Sequence, residues 1–239
     1  MYLPKLTTSR LDVELQELKI KDVIALCEIP AHLNEAGIGE TLKRIVKSSN
    51  IPLAYWTVQE RYAAICAYIT AKEQADWPAT DTTRYSQYPT GIDVPQDIYR
   101  FEFDGSPLMV VPLTGEYIEA MERLIASGAI HDKPEAMTWL IAAAAAQIRS
   151  EDEDVGNVED LIKARVMQLQ ELPEDVFFKL LDEFSMGLAA TAHLFNIWYA
   201  DDGVVCLPNQ AKEAGIENPA RFRFDACWSE ASRQVFTRD

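Results

Sequence analysis

The residues that could do chemistry are few and scattered. His32, His131 and His193 have no histidine partner at the three- or four-residue spacing that sets two imidazoles on one helical face. The four cysteines, Cys27, Cys66, Cys206 and Cys227, include no Cys-x-x-Cys pair. Zinc sites need about four ligands, usually supplied with such close pairs, so no metal is expected. Cys206 and Cys227 fall within one expected β module, and a shared site there stays open; small buried thiols are the ordinary alternative. Cys27 and Cys66 lie on apolar helical faces and read as core. Asp152-Glu153-Asp154-Val155-Gly156 offers acids and a glycine, but not the spacing or the closing glutamate of a calcium loop.

Phosphate chemistry fares no better. Gly37-Ile38-Gly39 begins like a dinucleotide fingerprint, yet Leu42 stands where the third glycine belongs, and a helix with a prolyl break precedes it. The chain has no Gly-Lys-Ser/Thr ending for a P-loop. Ser185-Met186-Gly187 is not a nucleophile elbow and has no visible base. With 38 acidic residues, carboxylate pairs occur everywhere and single out nothing. No cofactor and no catalytic residue is therefore expected. The alternatives are an enzyme whose site is assembled only by folding, or a bacterial cytosolic adaptor.

The elements that would position such groups can be read from period and punctuation. Arg10 to Leu15 alternates and predicts a strand. From Lys19 the period becomes helical, with Ile20, Val23, Ile24 and Cys27 on one face and Pro30 as the stop. Leu33, Leu42, Ile45 and Val46 suggest a second helix after a loop around Gly37 and Gly39. Thr57 and Glu60 form a capping-box pattern, followed by Tyr62, Ile65, Cys66 and Ile69 on one face. Trp77 to Pro95 reads as a long irregular connection; loops of that length are usually functional or flexible, which makes it a candidate contact surface. Asp104-Gly105 between alternating segments is a hairpin signal. Helices are expected at Glu116–Ala126 and Pro134–Ile148, then at Val158–Gln170 and Pro173–Phe184. A second hairpin is placed at His193–Tyr199 and Val204–Leu207 around Asp202-Gly203, with Arg221–Asp225 as a third strand. The expected fold is α+β, predominantly helical with two short hairpin modules. It divides into an N-terminal domain (1–150), an acidic linker (151–157) and a C-terminal helical segment with a small antiparallel module (158–239).

Bulk properties exclude whole classes. In 239 residues, 22 basic against 38 acidic side chains leave a net charge of −16. That field repels phosphate backbones, and the arginines at 221, 223, 233 and 238 are balanced by nearby acids, so no nucleic-acid partner is expected. The longest apolar run, Leu140 to Ala146, falls well short of the roughly 20 residues that span a bilayer, so no membrane partner is expected either. Met1 to Lys5 lacks an apolar signal core, and the cysteines make no disulfide framework; a reducing cytosol is the expected compartment.

What remains is contact surface. Large aromatics on irregular backbone either anchor a partner or tack their own loop onto the domain, and both readings stay open for Trp77, Tyr85 and Tyr88 in the long loop. The second hairpin has two mostly apolar faces. Leu194, Asn196 and Trp198 point one way and His193, Phe195, Ile197 and Tyr199 the other, so one face must find a cover. The expected partner-binding set is Trp77, Tyr85, Tyr88, Trp198, Tyr199, Phe222, Phe224 and Trp228.

The order of elements also resembles a known group. Leu3-Pro4-Lys5-Leu6 before a short strand, a helix entered through Trp56-Thr57-Val58-Gln59-Glu60-Arg61, and Pro173-Glu174-Asp175 leading through Phe184 and Gly187-Leu188 to His193-Leu194 are similar to the hub-associated baseplate and tail assembly proteins of contractile-tailed bacteriophages, the T-even type and its relatives. The resemblance covers the ends of the chain. It implies a virion structural protein or an assembly chaperone that binds hub, tail-tube or tape-measure proteins. It also implies a place in the host cytoplasm during assembly or in the finished tail, and no catalysis.

Overall fold

The computed structural model describes residues 3, 5–74, 76–94, 96, 98–131, 135–151, 153, 156–209 and 219–236. Among them it is a mixed α+β fold of eight α-helices and three small antiparallel sheets. In the first sheet, β2 (Asp12–Leu15) lies between β1 (Leu6–Thr7) and β3 (Val46–Ser49). Val13 and Leu15 are buried while Asp12 and Glu14 are exposed, as the alternation requires. Helix α1 (Ile20–Leu26) sits where the period changes, but it is rolled from the expected face. Val23 and Leu26 are buried, whereas Ile20 and Ile24 stay exposed. A two-turn helix fits either pattern, and packing against α2 selects one.

The expected loop at Gly37 and Gly39 is instead the interior of α2 (Asn34–Ile45), and both glycines are buried. They are helical because the helix is approached closely. A Cβ on Gly37 would overlap the Phe224 ring, and one on Gly39 would overlap the Glu119 carboxylate. We expect Gly37→Ala to destabilise. Helix propensity favours alanine by about 1 kcal/mol, but forcing a methyl into the ring costs roughly 1–3 kcal/mol. Chemical denaturation measures the sign, and a net gain in stability would contradict this packing.

Helix α3 (Val58–Glu73) begins with the expected capping box: the Glu60 amide donates to Thr57 Oγ1 at 3.2 Å, and the Thr57 amide donates to Glu60 Oε2 at 2.8 Å. Tyr62, Ile65 and Ile69 are buried on its inner face. The first hairpin pairs β4 (Tyr99–Phe103) with β5 (Ser106–Val110) through Asp104 and Gly105, whose φ of 49° and 74° make the doubly left-handed turn that matches strand twist. A third strand, β6 (Ile148–Arg149), joins β5, so the expected end of the preceding helix is strand.

Helices α4 (Gly115–Ala126), α5 (Glu135–Gln147), α6 (Val158–Gln170) and α7 (Glu174–Thr191) follow, and α7 runs beyond the expected Phe184. Ala142 to Ala146 of α5 are all buried, so this apolar helix is interior. In the second hairpin, β7 (Asn196–Ala200) and β8 (Gly203–Leu207) turn at Asp201-Asp202. Gly203 opens β8 opposite Ala200, one residue from the expected turn.

Arg221–Asp225 is not a strand. Only Ala220 bridges β8, exchanging hydrogen bonds of 2.8 and 2.9 Å with Cys206. Beyond it the Asn34 side chain stands in for a neighbouring strand, donating to the Phe222 carbonyl at 2.9 Å and accepting from the Phe224 amide at 3.2 Å. A short 3-10 turn (Phe224–Cys227) and α8 (Glu230–Phe236) complete the described chain.

Among the described residues, one cluster of buried side chains runs from Leu11 to Trp228. Phe222 packs on Tyr62, Tyr85 and Tyr88, and α5 lies against β7. The physical reason is that two strands with one covered face cannot enclose a core of their own. Of the expected linker, Asp152, Asp154 and Val155 lie outside the described residues, while Glu153 pairs with Arg165 of α6.

Candidate functional site

Folding brings together buried polar groups that the sequence scatters. The first amides of α2 need acceptors, because a helix N-terminus leaves them without partners in the helix. Glu122, from α4, supplies both of its oxygens: the amides of Glu35 and Ala36 donate to it at 2.9 Å each. Glu35 lies beside it, fully buried, and takes hydrogen bonds on Oε1 from the Tyr62 hydroxyl at 2.8 Å and from Asn34 Nδ2 at 3.2 Å. Its Oε2 has no partner among the described residues. Arg61 of α3 donates to the carbonyls of Glu35 at 2.6 Å and Gly115 at 3.1 Å, and pairs with Glu119 at 2.9 Å. Arg221 lies 3.8 Å from Glu122 and 3.4 Å from Asp202.

Two carboxyls in a low-dielectric interior cannot both ionise cheaply. Burial raises Glu35 above the usual carboxylate range; burial and the adjacent Glu35 push Glu122 up to about 7. A carboxyl raised on folding adds stability in full below its unfolded value near 4.5, and that stability is lost as pH rises through the folded value. For Glu122 the loss is about 3 kcal/mol across that window. Burial pushes His193 the other way, down from 6.5, so its contribution disappears as pH falls. Comparing wild type with Glu35→Gln at each pH removes the histidine from the difference. The substituted amide keeps the Oε1 contacts and takes the repulsion off Glu122. We expect the stability of this variant relative to wild type to rise between pH 5 and 8, and a constant difference would refute the coupling.

This pair is enclosed: Glu35 is 0% and Glu122 1% exposed. It offers no carboxylate to a substrate, and its geometry is that of a clasp joining α2, α3, α4 and the C-terminal segment. A second buried set stands at the start of α3. The His193 ring lies 3.0 Å from Thr57 Oγ1 through Nε2 and 3.0 Å from the Thr191 carbonyl through Nδ1, and Arg10 pairs with the buried Glu60 at 3.0 Å.

One solvent-facing feature is a groove of about 660 Å³ between the C-terminal half of α7 and the outer face of the second hairpin. Leu188, Ile197 and Leu207 give it apolar walls, Gln59, Asn196 and Asn209 supply amides, and among the described residues no side chain lining it is charged. Trp198, 41% exposed, stands in the wall. Gln59 is 4% exposed, and its Oε1 has no partner among the described residues.

Of the eight aromatics expected to meet a partner, only Trp198 is exposed. Tyr85, Tyr88, Tyr199, Phe222, Phe224 and Trp228 are buried, contrary to the exposure expected of them. Phe222 is the hub of an edge-to-face cluster, its ring centroid 4.9 Å from Tyr85, 5.4 Å from Tyr62 and Phe195, and 5.5 Å from Tyr88. The long loop is thus tacked down by its own tyrosines. Phe224 and Trp228 pack edge to face at 5.8 Å, and Tyr199 accepts from Gln147 at 2.8 Å. Trp77 is half-buried under the Arg233 guanidinium, 4.8 Å from its ring centroid.

Cys206 and Cys227 are buried free thiols, and burial raises Cys206 well above the usual range and Cys227 to about 12. Among the described residues, no three His, Cys, Asp or Glu side chains are grouped to hold a metal ion. No helix there is long and apolar enough to cross a membrane.

Glu35, Glu122, Arg61 and Gln59 escaped sequence reasoning. Their one local signal is polarity on otherwise buried helical faces, which no single residue betrays. Comparison of the chain with protein-family models, curated proteins and solved structures finds no match in any of the three.

Proposed function

We propose that this chain is a non-enzymatic, protein-binding component of a contractile phage tail or baseplate, acting as a structural part or as an assembly chaperone for the hub. The groove beside Trp198 is the docking surface in this reading. One observation supports it above the others: an exposed tryptophan borders a largely apolar groove whose described side chains carry no charge, on an otherwise strongly acidic protein. Interface anchors are typically large aromatics in such settings, ringed by polar groups that keep water out. The occupant is an uncharged stretch of a tail or baseplate protein that presents an apolar side chain to Leu188 and Leu207 and an amide or hydroxyl donor to Gln59. The buried carboxylates support no reaction, being closed to solvent.

The test is a pull-down of the chain from the producing cell, combined with mass spectrometry of purified particles. Presence in particles at fixed stoichiometry makes it a structural component. Absence from particles with recovery on a tail protein makes it a chaperone. Recovery on neither overturns the reading. Trp198→Ala is expected to weaken capture about thirtyfold, the loss of a typical anchor worth about 2 kcal/mol. Unchanged capture by that variant would move the contact away from the groove.

A further inference from the structure

The open edge of the second sheet carries a pattern that is complementary to itself. In the sheet order β4-β5-β6, β4 is an edge among the described residues. The two-residue turn closes on the pair Phe103–Ser106, and Phe101–Leu108 and Tyr99–Val110 repeat it at the two-residue period. In an antiparallel ladder these pairs exchange both hydrogen bonds, and the residues between them direct their amides and carbonyls outward. The other side of β5 agrees in phase, since the Val111 amide donates to the Gln147 carbonyl at 3.1 Å and Met109 pairs with Arg149 of β6. Arg100 and Glu102 therefore turn their backbone groups to the open edge, and both side chains are exposed.

We propose that β4 pairs antiparallel with β4 of a second copy of this chain, about a two-fold axis through Phe101. The parity is right: in this register Arg100 faces Glu102 of the partner subunit at a hydrogen-bonded position, and the reciprocal pair forms on the other side of the axis. Four backbone hydrogen bonds and two opposite-charge cross-strand pairs result, and the two three-stranded sheets become one of six strands. Sliding by two residues along one strand sets Arg100 against Arg100, and by two along the other sets Glu102 against Glu102, so charge selects the register. Single-sign charges would repel a copy in every register and are a common way to blunt an edge; one charge of each sign does not.

The opposite face favours the same arrangement. Tyr99, Phe101 and Phe103 are each half-buried, and Tyr99 and Phe101 stack at 6.1 Å. Met186 of α7, its sulfur 3.9 Å from the Tyr99 hydroxyl, remains 56% exposed, which extends that apolar face beside the edge. A groove lined by Glu102, Asp104, Asp182 and Glu183 stands at the strand's end, with Lys179 as the one basic residue among its described side chains. The exposed pair of Arg100 with Glu151 at 2.8 Å competes weakly, since surface ion pairs contribute little. The net charge of −16 on each copy opposes approach, but at physiological salt it is screened beyond about 8 Å.

Sedimentation velocity on the whole chain tests this at a concentration of about 100 μM, where weak self-association becomes populated by mass action. Wild type should sediment at twice 26.9 kDa. Arg100→Glu and Glu102→Arg should each run as monomers with unchanged circular dichroism, the dimer weakened at least tenfold. Mixing the two variants in equal amounts should restore a dimer, because each then meets opposite charges, and Glu151→Gln should leave the wild-type dimer intact. A monomeric wild type overturns the proposal. So does a dimer that survives Arg100→Glu, or a mixture that stays monomeric.

Discussion

Phe222→Ala is expected to remove about 3–5 kcal/mol of stability, the range for deleting a large buried aromatic and leaving its cavity. The upper half applies, because four rings surround Phe222 edge to face and each such pair adds about 0.5–1.5 kcal/mol beyond burial. Domains of this kind are stable by roughly 5–15 kcal/mol, so the change takes about a quarter or more of the total. It also acts on the C-terminal segment, which Phe222 joins to α3 and to the loop carrying Tyr85 and Tyr88. Phe222→Leu keeps most of the volume and should cost under about 1.5 kcal/mol. Urea denaturation followed by tryptophan fluorescence and by circular dichroism measures both. A loss below about 1 kcal/mol for the alanine variant, or two separated transitions in wild type, would contradict a single shared core.

Arg61→Ala comes next. The side chain is 1% exposed and answers two carbonyls and a carboxylate. Breaking a buried charged network from one side costs about 3–5 kcal/mol, because the partners stay behind without water. Glu119 is 24% exposed and recovers some hydration, whereas the carbonyls of Glu35 and Gly115 are held by the packing of α2, α3 and α4. Arg61→Lys should recover less than half of the loss: a single ammonium cannot span the three acceptors that the guanidinium fork reaches. Equal stability of the lysine variant and wild type in thermal denaturation would show that the fork geometry is unimportant here.

Several elements were legible in the chain because the interactions that form them are local. The Thr57–Glu60 capping box, the Asp104-Gly105 turn, the Val158–Gln170 helix and the β2 alternation each rest on hydrogen bonds or side-chain periods spanning a few residues. The class of the fold follows from them. The glycines of α2 misled for the opposite reason. Gly37 is punctuation by local rules, yet it is helical because Phe224, far along the chain, occupies the space of its missing side chain. Arg221–Asp225 kept its alternation but found an asparagine side chain where a strand was expected.

The candidate sites divide along the same line. That Trp198 faces away from Ile197 and Tyr199 is a consequence of strand period, and the chain alone determined it. That Tyr85, Tyr88, Phe222, Phe224 and Trp228 turn inward was decided by tertiary structure, since an aromatic on irregular backbone has no period to say which way it points. Tertiary structure likewise decided that Glu35 and Glu122 meet. Electrostatic pairing depends on distance in space, and residues 87 positions apart carry no mark of their approach. The sequence by itself thus determined several local elements and the net charge. Which apolar face is covered, and which charges are enclosed, arose only when the helices closed on one another.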